Sequence, residues 1–591
     1  MRALLTGNEA IARGAYEYGV KVAVGYPGTP STEILENIAK YEGIKAQWSP
    51  NEKVAMEVGA GASIGGARVI VTMKHVGVNV AADPLFTFSY TGVNGGLVLI
   101  SADDPGMHSS QNEQDNRNYA RFAKIPMFEP SDSGECKEMM GEALKVSEVY
   151  DTPVMLRTTT RIAHSQSLVE LKEPGEITVK EYVKDSGKFV MIPAHARQRR
   201  VIVEERLARL KEYAESCPFN EIQMRDARVG IIASGAAYQY VREVMPNVSV
   251  LKLGMTYPLP EKLIKDFAAR VKHLFVVEEL DPFLQDQVAL MGLKVRGKDL
   301  FSNIGELSPK LIAEKFYSLE ETRDFVEKAF LAQPQAWALQ DNIPVRPPVM
   351  CPGCPHRGVF YVLNKMKLTV MGDIGCYTLG TLPPLEAMDA CICMGASIGS
   401  ALGMEKAHPE MRSKIVSVIG DSTFMHSGIT GLLDIAYNKG TTATIILDNR
   451  TTAMTGHQEH PGTGKTLQQE ETFAVDIPKL VQALGIRRIK VVDPFDLDNL
   501  QKILAEETEA AEPSVIIAQR PCALLDKSGG KPLTVDAGAC IGCKRCMKLG
   551  CPALVAGPEK VSVNAALCTG CGLCAQTCNV GAIRKEGEGI A

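Results

Sequence analysis

The sequence predicts a multidomain α/β chain that closes in a small α+β module. Three observations carry that reading. At 591 residues the chain is too long for a single core, so three to five domains are expected. Short apolar runs alternate with helical segments through three successive stretches, the pattern of parallel sheets wound with helices. Eight of the sixteen cysteines fall within residues 540–591.

The composition narrows the function classes. Apolar content of 45% and charged content of 23% are ordinary for a globular protein. A formal charge of −5 argues against nucleic acid as the main partner. No apolar stretch is long enough to span a bilayer, so no membrane is expected. The opening MRALLTGNEAIARGAYEYG has polar residues where a signal peptide needs an apolar run, and a cytoplasmic location is expected. Sixteen cysteines in a reducing compartment read as metal ligands rather than disulfides.

Val20-Lys21-Val22-Ala23-Val24 reads as the first strand, and Gly25-Tyr26-Pro27-Gly28-Thr29-Pro30 as the loop after it. Ser31 or Thr32 can then N-cap a helix carrying Ile34, Leu35 and Ile38. Val69-Ile70-Val71-Thr72-Met73 and Leu97-Val98-Leu99-Ile100 read as further buried strands. A charged helical linker is expected over residues 193–216, its Arg and Glu on a solvated face. A second α/β unit opens at Arg228-Val229-Gly230-Ile231-Ile232 and includes Leu274-Phe275-Val276-Val277. Proline-rich text at residues 344–355 marks the next boundary. A third unit has strands over residues 415–419 and 443–447, and Lys527-Ser528-Gly529-Gly530-Lys531 reads as a linker.

The closing cysteines run Cys540-x-x-Cys543-x-x-Cys546-x4-Cys551, then Cys568-x-x-Cys571-x-x-Cys574-x3-Cys578. This is the spacing of a two-cluster bacterial ferredoxin, in which each run lends its fourth Cys to the other cluster. One [4Fe-4S] cluster is assigned Cys540, Cys543, Cys546 and Cys578, the other Cys568, Cys571, Cys574 and Cys551. Paired zinc knuckles are the alternative. The first run has four residues before Cys551 rather than three, and Asn579 follows Cys578 where Pro is usual. From Asp536 onward six Lys or Arg face four Asp or Glu, either a basic rim for an acidic electron carrier or ordinary solubilising charge.

Gly420-Asp421-Ser422 and Asp448-Asn449-Arg450-Thr451 each end a strand-like run. Ligands in open α/β sheets bind at such ends. An Asp, an Asn and a backbone carbonyl two residues on make a hard oxygen site for Mg²⁺, with a diphosphate completing the shell. The two fragments resemble the metal–diphosphate motif of thiamine diphosphate enzymes, with Ser422 in place of a Gly and Asp448 in place of an Asn. The implied ligands are Asp421, Asn449 and the Thr451 carbonyl. Such enzymes also present a Glu to the aminopyrimidine. Glu57, two residues before the Gly-Ala run, is the choice here, with Glu52 as the alternative.

Further motifs extend the resemblance. Tyr26-Pro27-Gly28-Thr29-Pro30-Ser31 resembles a loop of the 2-oxoacid:ferredoxin oxidoreductases. Residues 253–260 and 277–282 look like their transketolase-C-like domain. Met73-Lys74-His75-Val76-Gly77-Val78-Asn79, residues 109–117 and Cys351-Pro352-Gly353-Cys354-Pro355-His356-Arg357 resemble the large (alpha) subunits of the indolepyruvate ferredoxin oxidoreductases. The resemblance implies four domains: pyrimidine-binding at 1–192, transketolase-C-like at 193–345, diphosphate-binding at 346–526 and ferredoxin-like at 532–591. It implies oxidation of an aryl 2-oxoacid with coenzyme A to an acyl-CoA and CO₂, reducing ferredoxin. A separate small (beta) subunit is implied, with two copies of each chain in a heterooligomer.

The resemblance also assigns roles. Thr29 is placed to hydrogen-bond substrate or cofactor, Arg117 to pair the substrate carboxylate, and His75 to move or orient a proton. For these three a loop cap, a surface ion pair and a core histidine are the bland alternatives. Cys351, Cys354, Cys376 and Cys522 match the places of a third cluster near thiamine, or are four buried free thiols. Cys136, Cys217, Cys391 and Cys393 read as core thiols. Rival functions are the same chemistry on pyruvate, a non-oxidative decarboxylase, and an electron-transfer subunit alone.

Overall fold

A computed structural model describes residues 1–331, 347–526 and 530–585, in two compact units, Met1–Leu339 and Gln340–Ala591. Lys527, Ser528 and Gly529 of the expected linker, and the start of the proline-rich boundary, lie outside the described residues.

The first unit is built on a seven-stranded sheet. Its spatial order is Met255–Tyr257, Met127–Phe128, Val154–Thr159, Leu97–Asp103, Val69–Lys74, Val22–Gly25 and Lys45–Trp48. All neighbours run parallel except Met255–Tyr257, which is antiparallel to Met127–Phe128. The central strands Val69–Lys74 and Leu97–Asp103 are buried throughout, which explains their near-continuous apolar text. The small residues of the helix Glu52–Ile64 let it close on this sheet: a Cβ at Gly59 would lie 2.5 Å from Val71 Cγ2. A four-stranded sheet follows, with His273–Val277, Val229–Ala233 and Ser249–Lys252 parallel and Glu221–Gln223 antiparallel at the edge.

The charged helix spans Pro193–Ala214, but its cations are not all solvated. Arg199 and Arg206 are buried. Their guanidinium groups donate to the carbonyls of Ser89, Tyr90 and Thr91, the open C-terminal end of the helix His75–Thr91. Unpaired carbonyls at a helix end attract cations, so these two arginines fasten that helix rather than face water.

The second unit holds a six-stranded parallel sheet ordered Ala390–Cys391, Thr369–Gly372, Ile415–Gly420, Ala443–Asp448, Ser514–Gln519 and Arg488–Val492. Cys391 and Cys393 stand exposed at its edge, not in the core; Cys136 and Cys217 are buried as expected. The cysteine-rich module contains two small antiparallel ribbons, Leu533–Val535 with Ile583–Lys585 and Leu554–Ala556 with Val561–Val563. It is pinned to the larger sheet region: Arg357 Nη1 donates to Leu549 O at 2.6 Å, and Gln576 Nε2 to Phe495 O at 2.6 Å.

Candidate active site

The first half of the site lies at the carboxyl ends of Val22–Gly25 and Val69–Lys74. Ser31 precedes the helix Thr32–Ile38, yet its hydroxyl turns back to donate to Gly28 O at 2.8 Å instead of capping that helix. Gly28 N donates to Thr32 Oγ1 at 2.9 Å, so both hydroxyls hold the loop that presents Thr29. Gly28 lies against Lys74, where an added Cβ would come within 3.0 Å of the lysine Cβ.

The helix Glu52–Ile64 separates the two candidate carboxylates. Asn51 caps it by accepting from Val54 N at 2.9 Å. Glu52 is 5% exposed, and a Cβ at Gly77 would meet its Oε1 at 2.6 Å. The Glu57 side chain is 46% exposed and pairs with Lys53 at 2.6 Å, an ordinary i,i+4 surface pair. Five residues at 3.6 per turn put the two on different faces. The expectation for Glu57 is therefore corrected: the carboxylate packed inward is Glu52.

His75 opens the helix His75–Thr91 and is fully buried. Its Nε2 lies 3.3 Å from Asn112 O, so that nitrogen carries the donated proton, and Nδ1 has no partner among the described residues. Burial pushes its pKa down, against the pull of Asp103, which keeps the ring neutral. Arg117 is turned into the protein. Its guanidinium is enclosed by Asp115 at 2.6 Å and Glu278 at 2.7 Å, and it also donates to the Glu279 and Asp281 carbonyls. Nε, Nη2 and one Nη1 proton of the fork are engaged inside the protein, so it is not held free as a carboxylate clamp, and that expectation is corrected. Arg157 is similarly enclosed by Asp103 at 2.7 Å and Glu129 at 2.8 Å.

The second half is built at the ends of Ile415–Gly420 and Ala443–Asp448. A Cβ at Gly420 would lie 2.7 Å from the Tyr377 ring, which requires glycine there. Ser422 sits in a helical turn and tolerates a side chain; its Oγ accepts from Thr452 Oγ1 at 2.8 Å. Buried Asp421 accepts from Ser422 N at 2.9 Å and Arg450 N at 2.8 Å. Three oxygens converge beside it. The Asn449 amide oxygen stands 3.2 Å from Asp421 Oδ1 and 2.9 Å from Thr451 O, with no proton between them unless the amide is turned over. Mutually facing acceptors fit a cation, and this donor set suits Mg²⁺. Among the described residues no three His, Cys, Asp or Glu side chains form a set for one metal ion. The oxygen set falls outside that description because an amide and a main-chain carbonyl supply two of its three donors.

Two histidines here were missed by sequence reasoning. His356 Nε2 lies 3.4 Å from Asn449 Nδ2, and burial pushes the imidazole down to about 4. It is part of the Cys351-to-Arg357 motif, a signal that was available. His460 Nδ1 accepts from Gly462 N at 3.1 Å, which leaves the proton on Nε2, 3.3 Å from Asp421 Oδ2. No spacing in the sequence marks it.

The cysteines assigned to the two ferredoxin-type clusters are neighbours in the fold, although among the described residues no three of them stand as a ready set for one metal ion. Cys540, Cys543, Cys546 and Cys578 line one cavity with Ile541, Val561 and Ile583. Cys571 is perturbed by Cys551 and Cys568 as neighbours. Burial pushes Cys574 up to about 12, with Cys571, Cys551, Cys568 and Cys546 adding to the rise. The two sets are thus adjacent through Cys574 and Cys546. Burial also pushes Cys354 up to about 12 and Cys376 to about 11, with Cys351, Cys376 and Cys522 among their neighbours. Cys351, Cys354, Cys376 and Cys522 are thus neighbours, without forming a three-ligand set among the described residues. The Cys522 amide donates to Asn449 O at 3.1 Å, which joins this set to the oxygen site.

Residues 13–208 match the family described as pyruvate flavodoxin/ferredoxin oxidoreductase, thiamine diphosphate-binding. Residues 373–518 match the C-terminal TPP-binding domain of thiamine pyrophosphate enzymes, and residues 561–584 a 4Fe-4S binding domain. The chain is 42% identical to the indolepyruvate oxidoreductase subunit IorA of Archaeoglobus fulgidus, over 99% of this chain and 97% of that one. The chain belongs to the IorA family. It is 40% identical to the IorA subunit of Methanothermobacter thermautotrophicus, over 99% of this chain and 97% of that one. Identity to the Pyrococcus abyssi IorA subunit is also 40%, over 100% and 97%. As an IorA-family chain it has a thiamine diphosphate-binding domain in each unit and a module for iron–sulfur clusters. Among the described residues no helix is long and apolar enough to cross a membrane.

Proposed function

We propose that this chain is the thiamine-bearing subunit of an oxidoreductase that converts an aryl 2-oxoacid and coenzyme A to an acyl-CoA and CO₂. Two electrons pass singly to oxidised ferredoxin, and one proton is released. The observation that carries the reading is the direct link between the oxygen site and a thiol set, from Cys522 N to Asn449 O. It joins a place that binds a diphosphate cofactor to a place that accepts electrons. A non-oxidative decarboxylase needs no such link, and an electron-transfer subunit needs no oxygen site. The aryl preference rests on the relatives' names.

Thiamine diphosphate, when bound, supplies the carbanion and electron sink for loss of CO₂, and the clusters accept single electrons. The chain's own residues do the rest. Asp421 Oδ1, Asn449 Oδ1 and Thr451 O hold Mg²⁺, and Gly420 admits the cofactor closely. Glu52, rather than Glu57, holds the proton of the aminopyrimidine. Thr29 lines the loop beside it, and neutral His75 orients donors at the same strand ends.

Cys351, Cys354, Cys376 and Cys522 are proposed to hold a third [4Fe-4S] cluster, between the oxygen site and the two-cluster module. The loop between Cys351 and Cys354 packs on the module, since a Cβ at Gly353 would lie 2.3 Å from Thr569 Oγ1. Cys543 at the far set is exposed, with Lys544, Arg545 and Lys548 exposed beside it, a basic face for ferredoxin. A separate small subunit, two copies of each chain and a cytoplasmic location complete the proposal.

The test is viologen or ferredoxin reduction by the chain with its small subunit, across aryl and aliphatic 2-oxoacids with coenzyme A. Reduction that depends on coenzyme A and favours aryl substrates is expected. Aldehyde release without coenzyme A or an acceptor would refute it.

A further inference from the structure

The carboxyl end of Val69–Lys74 carries a buried cation whose charge the protein does not answer directly. Lys74 is 8% exposed. Its ammonium donates to Ser109 O at 2.5 Å, which uses one of three protons. Among the described residues no carboxylate lies within ion-pair distance of it, although the buried cations Arg117, Arg157 and Lys137 each grip one directly. The nearest acid, Asp104, has its oxygens engaged by Ser109 N, Ser110 Oγ and Thr160 Oγ1. A buried ammonium with spare donors is costly unless something else pairs with it.

Its surroundings say what that partner is near. The loop presenting Thr29 touches Lys74 through Gly28. Glu52 packs on Gly77, three residues further on. His75, with its unpartnered Nδ1, is the next residue. Burial pulls the lysine down to about 8, with Asp104 pulling the other way, so it is mostly charged at neutral pH.

We propose that the Lys74 ammonium binds the carboxylate of the 2-oxoacid, the role the sequence assigned to Arg117. This rests on the decarboxylation reading above. An ammonium is a compact charge with rotatable donors, suited to a carboxylate that must leave. When the carbon–carbon bond breaks, its electron pair stays on the former ketone carbon and CO₂ departs uncharged. The pairing with Lys74 is then lost, so it contributes to holding the substrate and not to breaking the bond.

The experiment compares the wild-type complex with Lys74→Met and Lys74→Arg, each with its small subunit, in viologen reduction from 3-phenylpyruvate. For Lys74→Met, KM for the 2-oxoacid rises about 10- to 100-fold, kcat changes little, and Lys74→Arg recovers much of the loss. Affinity for thiamine diphosphate stays the same. A wild-type KM in Lys74→Met, or lost thiamine diphosphate binding, overturns the assignment. A second measurement needs no variant. Lys74 in the wild-type complex is acetylated with acetic anhydride and read by peptide mass spectrometry, without thiamine diphosphate, coenzyme A or acceptor, so that the carboxylate is not lost. Protection by 3-phenylpyruvate but not by its methyl ester is expected, and equal labelling overturns the proposal. If the wild-type complex oxidises no 2-oxoacid, the decarboxylation reading falls, and the labelling decides the carboxylate site by itself.

Discussion

In the first unit Arg117 and Arg157 are enclosed by Asp103, Asp115, Glu129 and Glu278, each cation answered at hydrogen-bond distance. In the second unit Asp421, Asn449 and Thr451 turn oxygens on one another, and Cys351, Cys354, Cys376 and Cys522 are neighbours. Both regions are buried and polar. Where opposite charges close on each other the region holds the fold. Where like groups converge unneutralised, burial is affordable only with a ligand of the opposite character. Lys74 and Glu52 belong to neither network, and that sets them apart in the first unit.

The sharpest way to break this comparison is to remove the carboxylate at the converging oxygens. Asp421→Ala should weaken Mn²⁺ binding, followed by electron paramagnetic resonance, by more than about 100-fold and abolish turnover. Retained metal binding would show that the oxygens do not need an ion. The converse experiment is Arg117→Met. Leaving Asp115 and Glu278 buried without their cation should cost about 3–5 kcal/mol, seen as a lower thermal midpoint. Thiamine diphosphate affinity in the surviving folded protein should be unchanged; a selective loss of substrate binding without destabilisation would restore the discarded role.

Smaller effects sharpen the same contrast. His460→Ala removes the imidazole whose Nε2 stands 3.3 Å from Asp421 Oδ2, and metal affinity should fall about 10- to 100-fold. An unchanged affinity would make His460 a packing residue. Cys522→Ser should lower iron from about 12 to about 8 atoms per chain. Equal iron in both proteins would mean that the third thiol set carries no cluster.

Much of this was legible in the sequence, for local reasons. The strands over residues 69–73 and 97–100 declare themselves because they are buried on both faces. The eight closing cysteines do so because their ligands are close in sequence. The errors have long-range causes. Arg117 looks free until Glu278, some 160 residues on, is seen beside it. Arg199 and Arg206 look solvated until the end of a helix at Thr91 is found under them. Distance from the Gly-Ala run points to Glu57, whereas helical phase and the gap left by Gly77 turn Glu52 inward. His460 depends on a backbone turn at Gly462 that no residue pattern announces.

The most direct test of the account is coenzyme A-dependent viologen reduction from an aryl 2-oxoacid, with Glu52→Gln and Glu57→Gln compared side by side in the complete complex. The account predicts that Glu52→Gln loses about 10²–10⁴-fold in kcat with its cluster absorbance intact, while Glu57→Gln stays near wild type. Near-normal turnover of Glu52→Gln, or collapse of Glu57→Gln, would contradict it.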